Sequence, residues 1–153
     1  MRLESVKVLA EKCISYRLIE LMVRAVSVDD VMKYAKGEIN RDEICKTIIM
    51  KDPKGGNYAI LLLGKDRIDF PKARKVIGHK VRIASAEEVK EATGIEPGAV
   101  CPLLLKVPLF VDVRVFEQGK INFGSGDHLY GMEISPKDLE RVVKFEVVDI
   151  ALR

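Results

Sequence analysis

Lys46 follows Cys45 and leads the apolar run Thr47-Ile48-Ile49-Met50. A lysine bordering an apolar strand can aim its ammonium into a pocket beside the sheet, where it attracts a phosphate or a polarised carbonyl. It can equally snorkel to water. A second candidate is Gly94-Ile95-Glu96-Pro97-Gly98-Ala99-Val100-Cys101-Pro102-Leu103, with two glycines and two prolines in ten residues. Such a stretch fixes the backbone and presents N–H groups to a ligand. Donors held this way suit a carbonyl or a developing oxyanion, although a helix C-cap running into a rigid connection has the same composition. The third is Gly124-Ser125-Gly126-Asp127-His128. Its glycines allow close backbone approach, and His128 has the chemistry of a general base; an ordinary glycine-rich strand connection fits as well. The fourth is the basic set Lys65, Arg67, Lys72, Arg74, Lys75, Lys80 and Arg82, opposed in its segment only by Asp66 and Asp69. It suits a nucleic-acid backbone or the solvated face of a short helix. No aromatic residues interleave with it as on a base-stacking platform.

Familiar catalytic motifs are absent: the sequence holds no G-x-S-x-G, P-loop or H-E-x-x-H. Its three cysteines, Cys13, Cys45 and Cys101, and its two histidines, His79 and His128, lie far apart. That spacing fits reduced thiols and offers no ready zinc ligand set. No metal or cofactor is expected.

The elements that must position these groups are punctuated clearly. A helix is expected over Leu3 to Lys12. Ser27 with Asp30 opens another and Gly37 supplies a stop. Asp69, with Pro71 in the first turn, opens a helix that Gly78 ends, and Ser85 with Glu88 opens one that Gly94 closes. Ser135, Pro136 and Asp138 open a fourth. Strands are expected at Ile14–Met22, Lys80–Ala84, Leu129–Ile134 and Lys144–Ile150. Thr47–Lys51 and Tyr58–Leu63 flank Gly55-Gly56-Asn57 and read as a hairpin. Phe110–Phe116 and Lys120–Phe123 flank Gln118-Gly119 and read as a second. The pattern is α+β, a mixed and largely antiparallel sheet flanked by helices. No G-x-G-x-x-G follows a strand, which argues against a Rossmann fold.

The 153 residues suit one domain spanning 1–153; 48% are hydrophobic and 32% charged. Apolar runs are too short to cross a bilayer and no secretory signal pattern is present, so a cytoplasmic location is expected. A net charge of +3 permits contact with nucleic acid without demanding it.

In order along the chain, these pieces resemble the YbaK/ProX family of aminoacyl-tRNA editing domains. Cys45-Lys46-Thr47-Ile48-Ile49-Met50 resembles the family's lysine-led strand. Gly64-Lys65-Asp66-Arg67-Ile68-Asp69 followed by Lys72-Ala73 resembles its D-x-x-v-d-x-x-k passage, and Arg82-Ile83-Ala84-Ser85-Ala86-Glu87-Glu88-Val89 resembles the start of its next helix. Thr93-Gly94 and Gly98-Ala99-Val100-Cys101-Pro102 resemble its T-G and G-x-x-x-P signature, and Gly124-Ser125-Gly126 its late glycine turn. The resemblance spans about Ile14 to Val143.

The resemblance implies a hydrolase that removes wrongly attached amino acids from tRNA, tilted toward tRNA for proline carrying cysteine or alanine, with prolyl-tRNA synthetase as a further partner. It implies that Lys46 holds the terminal nucleotide or the substrate carbonyl. The Gly98–Pro102 loop (Gly98, Ala99, Val100, Cys101, Pro102) would form the amino-acid pocket, with backbone donors near Gly98. Gly124, Ser125, Gly126, Asp127 and His128 would form the opposite wall, Asp127 being a catalytic candidate. Cys101 departs from the small residue, commonly serine, that precedes the loop proline in the family. It fits a buried small residue or, alternatively, a nucleophile. A non-catalytic module binding tRNA, a nucleotide or an amino acid is the other reading.

Overall fold

The computed structural model describes residues 3–153. In chain order the elements are α1 (Glu4–Glu11), β1 (Arg17–Glu20), α2 (Val28–Tyr34), β2 (Cys45–Lys51), β3 (Asn57–Leu63), α3 (Phe70–Ile77), β4 (Arg82–Ile83), α4 (Ala86–Thr93), β5 (Leu109–Asp112), β6 (Ile121–Gly124), β7 (Tyr130–Ile134) and β8 (Glu146–Val148). Short 3₁₀ turns occupy Arg41–Glu43, Pro102–Leu104, Val113–Glu117 and Pro136–Arg141. Two sheets result: an antiparallel three-stranded one in the order β1-β7-β6, and a mixed five-stranded one in the order β4-β2-β3-β5-β8. A bridge between Ile44 and Asn122 joins them. The architecture is the α+β arrangement expected. Among the described residues no helix is long and apolar enough to cross a membrane.

Strand β3 reads as a continuous apolar run because both of its faces are covered. Ala59, Leu61 and Leu63 enter one core cluster with Ile49, Leu9 of α1 and Val89 of α4, while Ile60 and Leu62 enter a second with Met50 and Ala73 of α3. The β2–β3 hairpin forms as expected, from Cys45↔Leu63 to Lys51↔Asn57. Asp52 builds its turn: Oδ1 accepts from the Lys54 and Gly56 N–H groups, and Oδ2 from the Tyr58 hydroxyl. The start signals of α3 and α4 act as read. Asp69 accepts from the Lys72 N–H, Ser85 and Glu88 form a complete capping box, and Gly78 and Gly94 take the left-handed conformation that ends each helix.

The second expected hairpin does not exist. Phe110–Phe116 is not one strand, because Asp112 ends β5 by accepting from the Arg114 N–H and starting the 3₁₀ turn Val113–Glu117. β5 pairs in parallel with β3 and β8, whereas β6 pairs with β7 in the other sheet. Gly119 is not among the glycines with positive φ, so the two-residue hairpin geometry is missing. Ser135 makes no side-chain cap, and the fourth expected helix is the 3₁₀ turn Pro136–Arg141. α2 ends at Tyr34 because Ala35 is already extended; Gly37 lies in the turn beyond it, with φ of 107°. The strands expected at Ile14–Met22, Lys80–Ala84 and Lys144–Ile150 shorten to β1, β4 and β8.

Candidate functional site

Pairing in the three-stranded sheet places Ile19 opposite Gly131, and Gly131 opposite Gly124. With a period of two, Ile19, Leu21, Gly131, Gly124 and Asn122 share one face, while Ile121, Phe123 and Met132 enter the main core from the other. The Ala99–Val100 backbone fills the position above Gly124, while Gly131 carries no side chain and leaves space above that face. The space becomes a cleft of about 520 Å³, a size that accommodates a small-molecule or nucleoside ligand. Its further walls are Cys45–Ile48 of β2, Ala25–Asp29 at the start of α2, and the loop residues Gly98 and Val100.

The two glycine-rich loops lock together along one wall. A Cβ on Gly124 would sit 2.6 Å from the Val100 carbonyl oxygen, so only glycine permits this approach. The Gly126 N–H donates to the Ala99 carbonyl at 2.8 Å. Gly98 has φ of 94° and packs against Val26. Ser125 is buried: its carbonyl accepts from the Ser5 hydroxyl at 2.7 Å, and its own hydroxyl donates to the Tyr130 carbonyl at 2.6 Å. Asp127 Oδ1 accepts from the Leu129 N–H at 2.8 Å, which turns the chain into β7.

Six of the residues singled out from the sequence line the cleft: Lys46, Gly98, Val100, Gly124, Asp127 and His128. Ala99, Cys101, Pro102, Ser125 and Gly126 do not line it; they hold the wall from behind. Burial pushes the Cys101 thiol up to about 12. A fully buried thiol that stays protonated lacks the thiolate that a nucleophile needs. Cys45 does line the cleft, and burial raises its thiol strongly as well.

Lys46 is half-buried, and its Nζ donates to the Gly64 carbonyl at 3.2 Å. Burial lowers its pKa, the Asp66 charge opposes that fall and the Arg67 charge adds to it. At the rim, Arg24 pairs with Glu96 at 2.7 Å, and His128 Nε2 lies 3.7 Å from the same carboxylate. Burial first and the Arg24 charge second hold the His128 pKa below its ordinary value, against Glu96 and Asp127. The imidazole is therefore neutral near pH 7. Arg41 and Asp29 form an ion pair beside the α2 end of the cleft. Of the basic segment, Lys65, Lys72 and Arg82 are engaged with Asp42, Asp149 and Glu88. It is thus no continuous free basic stripe. Among the described residues no group of three or more His, Cys, Asp or Glu side chains is placed to hold a metal ion.

Sequence reasoning missed Asn122 and Thr47. Both line the cleft, and their side-chain polar atoms are buried without a partner among the described residues. The available signal was Asn122 itself, one polar residue between Ile121 and Phe123 in a strand of core residues.

Residues 24–142 match the profile of the family described as the aminoacyl-tRNA editing domain. The uncharacterized protein YwhH of Bacillus subtilis (strain 168) is 29% identical over 103 residues, which are 66% of this chain and 66% of YwhH. A proline–tRNA ligase of Syntrophotalea carbinolica is 26% identical over 116 residues, 75% of this chain but 20% of the ligase. The chain thus spans about two thirds of the first relative and a fifth of the second. Among solved structures, the hypothetical protein APE2540 superposes with a TM-score of 0.85 at 28% identity, over 97% of this chain and 100% of that one. A candidate trans-editing enzyme for prolyl tRNA synthetase superposes with a TM-score of 0.79 at 23% identity, over 100% of both chains, a likeness of fold. The motifs at Lys46, Gly98 and Gly124, the cleft they line and the match over residues 24–142 agree, and the chain belongs to the aminoacyl-tRNA editing domain family.

Proposed function

We propose that this chain is one editing domain over residues 1–153 that acts in trans in the cytoplasm, hydrolysing the ester of a wrongly charged aminoacyl-tRNA. The favoured substrates are small amino acids, cysteine or alanine on tRNA for proline, with the prolyl-tRNA synthetase as the source of the error. The supporting observation is the cleft itself, which sets a half-buried lysine on one wall against the Gly98–Val100 backbone on another. In this reading Lys46 holds the terminal nucleotide or its ester. Backbone N–H groups near Gly98 polarise the carbonyl and stabilise the oxyanion. Water attacks the carbonyl carbon, with a free ribose hydroxyl on the substrate placed to orient it or take up its proton. The ester C–O bond then breaks, and the departing ribose oxygen takes a proton. With water as the attacking group, the products are the free amino acid and uncharged tRNA. Asp127 serves this scheme by shaping the turn that carries His128 and closes the opposite wall.

The test is a deacylation assay on purified protein with tRNAs charged with alanine, cysteine or serine. Release of at least one is expected, and Lys46→Ala is expected to lower it on the order of a hundredfold, as for a lost transition-state donor. Tight binding of charged tRNA with no release from any member of the panel would overturn the catalytic reading. Full activity in Lys46→Ala would overturn that residue's role.

A further inference from the structure

Asn122 is 2% exposed and lines the cleft, and neither its Oδ1 nor its Nδ2 has a hydrogen-bond partner among the described residues. The side chain is committed to the cleft face by register, because its neighbours Ile121 and Phe123 fill the core on the other face. Thr47 Oγ1, on β2 along another wall, is also buried without a partner. The main-chain edge of Thr47 faces away from β3: the Ile44 carbonyl accepts inward from Gly64, whereas the Ile49 carbonyl accepts outward from Ala84. Buried polar side chains in folded proteins are nearly always paired, since an orphan forfeits the hydrogen bonds it had in water. His128 Nδ1 is a third unpaired group lining the cleft, and orphans gathered in one cleft identify what it is built to hold. A primary amide both donates and accepts, and a hydroxyl does both. A carbonyl or an ammonium satisfies only one side of the amide, and a methyl group satisfies neither.

We infer that Asn122, assisted by Thr47, reads the side chain of the aminoacyl group and selects small amino acids that end in a hydrogen-bonding group. The rank order is serine first, cysteine second as the weaker donor and acceptor, and alanine last. This rests on the editing reading above and revises its substrate preference, placing serine ahead of cysteine and moving alanine to last. A site built to hydrogen-bond a substrate group rejects the analogue lacking it, because its own buried groups are then left unpaired.

The experiment measures kcat/KM for deacylation of one tRNA charged in turn with serine, cysteine, alanine and 2-aminobutyrate. The wild-type protein is expected to favour serine over alanine by about tenfold or more, with 2-aminobutyrate, similar in size to cysteine but apolar, falling below cysteine. Asn122→Leu removes both polar atoms at similar size and is expected to lower the serine-to-alanine ratio by about tenfold to a hundredfold. Asn122→Asp, which keeps the shape but loses the donor, and Thr47→Val give second and third readings should the leucine variant fold poorly. A ratio unchanged in these variants, or a wild type that releases alanine as fast as serine, overturns the inference and leaves the editing reading standing. No release from any substrate overturns both.

Discussion

Lys46 carries an ammonium that burial disfavours. Its pKa in the folded chain lies below that in the unfolded chain, so near neutral pH the folded state bears the charge at a penalty. A neutral side chain of similar length removes that penalty. Lys46→Met is therefore expected to lower deacylation on the order of a hundredfold without lowering the urea midpoint, and a midpoint that falls with activity would mark the lysine as structural. Burial and the Arg24 charge likewise hold the His128 pKa below its ordinary value. The unfolded chain takes up the proton first as pH drops below 6.5, so stability is lost from there down to the lowered folded value. Urea midpoints between about pH 5 and 7 should fall less for His128→Gln than for the wild type. A parallel loss in both would exclude His128 as its source. Lys46 and His128 were legible in the sequence because each stands in a short run of distinctive composition. Asn122 was not, because its meaning depends on the absence of partners, which only packing defines.

At the scale of elements, the site depends on two loops meeting without side chains between them. Gly124→Ala would place a Cβ 2.6 Å from the Val100 oxygen, against rigid backbone. The wall must shift, at about 1–3 kcal/mol by the usual penalty for overpacking. The expected outcome is a lower urea midpoint together with reduced deacylation; unchanged values for both would show that the loops separate freely. The sequence marked both loops as glycine-rich, yet their mutual contact joins residues far apart in the chain. The same limit explains the missed connection after β5. Phe110 to Phe116 has the apolar composition of a strand, but Asp112 is fully buried and its carboxylate terminates β5.

At the scale of the whole molecule, Asp112 ties distant parts of the chain together. Its carboxylate accepts from the N–H groups of Ile150 and Ala151, from Arg153 and from Arg114 N–H, and Arg153 also reaches Asp149. Removing one side of such a buried network leaves its donors unpaired. Asp112→Ala should therefore lower stability by about 3 kcal/mol or more, read from equilibrium urea unfolding. A loss below about 1 kcal/mol would show that water replaces the carboxylate. The network lies outside the cleft, so deacylation by the folded fraction tests whether the site responds to it.

Local signals determined the caps of α3 and α4 and the β2–β3 hairpin, because each depends on residues within a few positions of one another, while the α+β class and the family followed from the order of such pieces along the chain. Tertiary structure alone decided that the strands divide between two sheets, that Cys101 lies behind the wall while Cys45 faces the cleft, and that Asn122 and Thr47 stand unpaired in it. Those outcomes rest on which strand pairs with which, and on what each side chain then touches. Spacing along the chain encodes neither.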